Sequence, residues 1–148
     1  MGATPSAIAF DGANIWTLNN GDETITKLRA SDGANLGTFN GGPTGSVQNG
    51  IVFDGANVWV CGGNLRVIKL RASDGVQLGF VQLTAAVTSI AFDGANIWLS
   101  GFGTVIKIRA SDGAHLESKG AGGGSSSIVF DGVNIWVDNP QAGTLSKL

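Results

Sequence analysis

Seven aspartates head tight turns in this chain: Asp11, Asp54, Asp93 and Asp131 in Asp-Gly-x-Asn segments, and Asp32, Asp74 and Asp112 in Ser-Asp-Gly segments. Clustered carboxylates could bind calcium, which takes six to eight oxygen ligands. One carboxylate per turn does not assemble such a set, so these aspartates are expected to accept hydrogen bonds from the backbone of their own turns. Lys27, Lys69 and Lys107 each stand two residues before Arg29, Arg71 and Arg109. In a strand, residues two apart share a face, which suggests a solvated or aspartate-paired rim. Trp16, Trp59, Trp98 and Trp136 could stack on sugars or bases, but each lies inside an apolar run, as expected of core packing.

Acid–base and nucleophilic chemistry has little material. His115 is the single histidine, at a position held by Asn35 and Gln77 in neighbouring segments, so neither a metal site nor a catalytic triad can be built around it. Glu23 has no counterpart in the other segments, and Cys61 is the single cysteine, so no intramolecular disulfide is possible. No catalytic residue, metal ligand or cofactor is assigned. Charged residues are 14% of the chain and the net charge is −2, which disfavours nucleic acid and anionic lipid as partners. The absence of a secretory pattern or a long apolar run leads to the expectation of a cytoplasmic, soluble protein.

The elements that position these residues follow from internal repetition. Ile8–Trp16 (IAFDGANIW) recurs at Ile51–Trp59, Ile90–Trp98 and Ile128–Trp136, and a KLRASDG or KIRASDG block follows the first three copies from Lys27, Lys69 and Lys107. Successive tryptophans are 43, 39 and 38 residues apart, a period that belongs to propeller blades. Within one period, apolar runs at 7–10, 14–18, 24–29 and 35–39 are separated by turn residues, which predicts four antiparallel strands. No window shows a helical period. Adjacent Ile15 and Trp16 point to opposite faces of their strand, so both faces of each small sheet must be covered. Stacking blades around an axis achieves this.

The expected architecture is therefore an all-β propeller in a single domain, 1–148, with blades at about 6–42, 49–82, 88–119 and 126–148. The last blade has no outer strand within this sequence. Two chains joined head to tail into an eight-bladed ring are expected, with a closed four-bladed monomer as the rival. The blocks IAFDGANIW and TKLRASDG resemble the blade repeats of bacterial propellers of the virginiamycin B lyase-like, YVTN and NHL-like group. That resemblance implies the propeller fold, and it raises a metal-dependent lyase or hydrolase as an alternative function. The residues themselves favour a non-enzymatic binding or interaction module, with a structural propeller fragment as the third alternative. Segments between the second and third strands and between blades differ most among the copies and fall on one face of the disc. Ser6, Asn49, Thr88 and Ser126, small or polar residues at the starts of the inner strands, are expected to line an axial channel that suits a small polar ligand.

Overall fold

A computed structural model of the chain describes residues 2–42, 48–62, 64–122, 124 and 127–148. Each repeat folds as an antiparallel meander. Blade 1 contains β1 (Pro5–Phe10), β2 (Asn14–Asn19), β3 (Thr24–Arg29) and β4 (Asn35–Asn40). Blade 2 contains β5 (Gln48–Phe53), β6 (Asn57–Gly62), β7 (Arg66–Arg71) and β8 (Gln77–Gln82). Blade 3 contains β9 (Ser89–Phe92), β10 (Asn96–Gly101), β11 (Thr104–Arg109) and β12 (His115–Gly120), and blade 4 contains β13 (Ile128–Phe130), β14 (Ile135–Asn139) and β15 (Thr144–Lys147). The described residues contain no helix, and none is therefore long and apolar enough to cross a membrane.

The inner strands lie side by side in the order β1, β5, β9, β13. Between blades lies the core. One face of each blade presents its tryptophan and the aliphatic residue at the head of the third strand, and the next blade answers with the apolar residues of its first three strands. Trp16, Leu18 and Ile25 thus meet Ile51, Val58, Val60, Ile68 and Leu70. The second junction sets Trp59, Cys61 and Val67 against Ile90, Ile97, Leu99, Ile106 and Ile108. At the third, Trp98 and Val105 meet Ile128, Ile135 and Val137. Burial at one such junction pushes the Cys61 thiol up to about 12, so it acts as a small apolar residue.

The turns explain why the repeats hold this register. Asp11 Oδ1 accepts from the backbone N–H groups of Ala13 (3.0 Å) and Asn14 (2.7 Å), while Gly12 takes φ +97°. Ala34 N–H donates to Asp32 Oδ1 at 3.1 Å, and Arg29 Nη1 lies 2.8 Å from Asp32 Oδ2. The same arrangement recurs at Arg71–Asp74 and Arg109–Asp112. The two turns of a blade are joined by backbone hydrogen bonds, Ala30 N–H to Ala13 O, Ala72 to Ala56 and Ala110 to Ala95. This leaves the remaining connectors together on the opposite face of the disc.

Candidate functional site

The aspartate of each first turn does more than close it. Its second oxygen accepts the indole N–H five residues on: Trp16 Nε1 donates to Asp11 at 2.7 Å, Trp59 to Asp54 at 2.6 Å, Trp98 to Asp93 at 2.6 Å and Trp136 to Asp131 at 2.7 Å. This bond satisfies the single polar atom of a ring buried for its apolar surface. Sequence reading missed it, although the fixed spacing of five residues in every copy was a usable signal.

Burial opposes ionisation of Asp54, but donors from Trp59, Ala56 and Asn57 outweigh it and hold the carboxyl below the ordinary carboxylate range. Asp11 and Asp93 show the same balance. The exposed Asp131 is also lowered, first by the backbone N–H of Asn134 and then by Trp136. A carboxylate whose folded pKa is depressed contributes stability that is whole above its unfolded value of about 3.9 and is lost as pH falls through the folded value. We therefore expect a melting temperature that is flat from pH 7 to about 5 and declines below about 4. Circular dichroism melts across that range test it; a melting temperature that holds steady to about pH 2 would count against these bonds as a stabilising set.

A solvated rim of lysines does not form. Lys27 is buried: its Nζ donates to Ala72 O of the next blade at 2.7 Å and sits 5.1 Å from the Trp16 ring centroid. Lys69 Nζ repeats this with Ala110 O at 2.8 Å and Trp59 at 4.7 Å. Lys107 and Lys147 lie 4.5 Å and 5.6 Å from the rings of Trp98 and Trp136. The physical reason is that a lysine stem packs along apolar surface while its ammonium finds a π-face and a carbonyl at the edge of the junction. The arginines two residues on are exposed and aspartate-paired, as expected of the rim.

On the opposite face, the connector after each outer strand is tied to the turn between second and third strands. Gly41 N–H donates to Glu23 O, Leu83 to Leu65 O and Ala121 to Gly103 O. Those turns differ in sequence, yet their last residue takes a left-handed conformation in every blade, at Glu23 (φ 57°), Leu65 (59°), Gly103 (84°) and Gly143 (64°). Asn20 clamps the start of β5, donating from Nδ2 to Gln48 O at 3.0 Å and accepting Gln48 N–H at 2.8 Å. Gln48 Nε2 in turn donates to Gly41 O.

The residues expected at the channel lie at this same end. Ser6 is exposed in β1 and its hydroxyl donates to Gln48 O at 3.4 Å; Asn49 is half-buried in β5 and donates to Val87 O at 3.2 Å. Thr88 is half-buried just before β9 and donates to Ser100 O at 3.3 Å. Ser126 lies outside the described residues. Ser6 and Asn49 each reach toward the next blade, and Ser89 Oγ accepts Ile128 N–H at 3.3 Å in the same manner. Four buried atoms at this end, Asn19 Oδ1, Gln48 Oε1, Ser100 Oγ and Asn139 Oδ1, have no hydrogen-bond partner among the described residues.

Among the described residues no three side chains of His, Cys, Asp or Glu come together in a way that could hold a metal ion. His115 is exposed, with Nε2 2.7 Å from Ser118 Oγ.

The four antiparallel meanders, stacked face to face, define the fold as a β-propeller. No family model and no curated protein sequence matches the chain. Solved structures do. The chain is similar to the structure of U3-55K, with a TM-score of 0.78 and 14% identity over 99% of this chain and 52% of that one. It is similar to the crystal structure of the RRP9 WD40 repeats, with a TM-score of 0.78 and 13% identity over 99% of this chain and 51% of that one. It is also similar to the computationally designed Ika4 protein, with a TM-score of 0.80 and 18% identity over 99% of this chain and 91% of that one. The chain thus spans about half the length of the first two and nearly all of the third.

Proposed function

We propose that this propeller is a non-enzymatic binding module whose contact surface is the loop face and the inner-strand rim at Ser6, Asn49 and Thr88. The observation that carries this reading is the placement of the four unpartnered buried polar atoms, all at loop-side strand ends. Buried polar groups in native proteins are normally hydrogen-bonded, so such a set marks where water or the polar groups of a ligand complete the structure. Among the described residues the opposite face has no comparable set: its aspartates are occupied by turn N–H groups, indoles and arginines. A small uncharged polar molecule, or a polar segment of a protein, fits a rim made of hydroxyls, amides and backbone carbonyls. A two-chain, eight-bladed ring carries the surface on both halves.

Backbone amide shifts titrated with glycerol, erythritol and acetamide test the site. Changes gathered on Ser6, Asn49, Thr88 and the adjoining turns support it. Changes confined to the Arg29–Asp32 side of the disc, or none at millimolar probe, reject it.

A further inference from the structure

The two end blades expose apolar residues whose equivalents inside the chain are covered. Ile8 is 69% exposed, whereas Ile51, Ile90 and Ile128 at the same position are at most 9% exposed. Leu145 is 68% exposed, whereas its counterparts Ile25, Val67 and Val105 are at most 2%. Phe10 is exposed beside Ile8, and Val129 beside Leu145, with Trp136 half-buried between the blade-4 strands. Ile8, Phe10, Val129 and Leu145 are therefore not covered by one another within one chain, although Thr17 and Thr26, on the same face as Ile8, are buried.

What covers them is legible from the three junctions already formed. The blade-4 face carries Val129, Trp136 and Leu145 where blades 1 to 3 carry Ala9, Val52 or Ala91, then the tryptophan, then Ile25, Val67 or Val105. In each internal junction that face meets the face on which Ile8 and Phe10 lie in blade 1. The polar ties match as well. Lys27 and Lys69 donate to the carbonyls of Ala72 and Ala110, both buried. Ala30 at the same position in blade 1 is exposed, and Lys147 is an exposed lysine at its own ring, Trp136.

We infer that the occupant of the blade-4 face is blade 1 of a second copy of this chain, with Leu145 and Val129 packed on Ile8 and Phe10 of that copy and Lys147 Nζ donating to its Ala30 carbonyl. Two such heterologous contacts close a ring of two chains. This deepens the two-chain reading above, and because mass is measured without any ligand, either it or the loop-face site can fail alone.

Size-exclusion chromatography with light scattering tests it on the full chain. The wild type is expected at about 30 kDa, two chains of 15.0 kDa, over a wide concentration range. Ile8→Asp and Leu145→Asp each alter a side chain exposed in the single chain, so each should stay folded by circular dichroism and run at half the wild-type mass. Mixing the two variants is the decisive arm. The mixed pair has one junction with both substitutions and one with neither, so two-chain mass should return in part. A wild type that stays at one chain, a mass that climbs without limit as concentration rises, a Leu145→Asp variant that stays dimeric, or a mixture that shows no gain would each overturn the inference.

Discussion

Replacing Trp59 by alanine should lower the free energy of unfolding by about 3–5 kcal/mol, the range for truncating a large buried aromatic. Trp59 is buried at the junction of blades 2 and 3, against the cluster that includes Ile97, Leu99 and Ile106. Truncation opens a cavity there, strands Asp54 Oδ2 without its indole donor and removes the π-face under Lys69. Both polar losses fall at the edge of one junction, so they add to the cavity rather than relieve it. Urea denaturation followed by far-ultraviolet circular dichroism measures the change; a shift under about 0.5 kcal/mol, typical of a surface site, would remove the tryptophan from the core. Trp136→Ala is the internal comparison. Its ring is half-buried at the open face, and in dilute single chains its loss should cost less than that of Trp59.

Gly101→Ala should be the second severe change, costing about 1–3 kcal/mol by overpacking, and Gly101→Asn should cost more. Gly101 ends β10, and a Cβ built on it would lie 2.6 Å from Val87 Cα, 2.7 Å from Ala86 O and 3.0 Å from Thr88 N. These are backbone atoms of the connector leading into β9, which cannot turn aside as a side chain can. Blades 1 and 4 hold Asn19 and Asn139 at the same position, where the amide donates to hydroxyls of the third strand: Thr24 and Thr26 in one blade, Thr144 and Ser146 in the other. The asparagine that suits those two copies thus collides in the third. Thermal melts of the two variants check the order; a Gly101→Asn protein as stable as the wild type would show that the connector moves freely.

The fold was legible because it is written four times. The repeated Ile-x-Phe-Asp-Gly-x-Asn-x-Trp block states its turn, its strand alternation and its period together, and the adjacent Ile15 and Trp16 demand cover on both faces. Resemblance to bacterial propeller repeats led to the same fold and no further. The lysines were misjudged because a charge in a strand was assigned to water. Burial of Lys27 depends on Trp16 beneath it in the same blade and a carbonyl in the next, a contact across 45 residues of chain that spacing does not display. On the loop face, the left-handed conformation is signalled by glycine at Gly103 and Gly143, but that Glu23 and Leu65 share it is not announced by their side chains. The unpartnered atoms of that face were also invisible in the sequence, since whether Gln48 or Ser100 is satisfied depends on neighbours brought in by folding.

The lysine ties all run one way, from a blade to its successor. Such a contact gives every blade a donor side and an acceptor side, like a monomer that polymerises with polarity. A duplication or deletion of one whole period would then join a donor side to an acceptor side again and leave the new junction chemically equivalent to the old ones. Changes by part of a period would leave an incomplete blade instead. Blade number can accordingly drift in whole steps by copying of the coding repeat, with no accompanying redesign of the surfaces between blades.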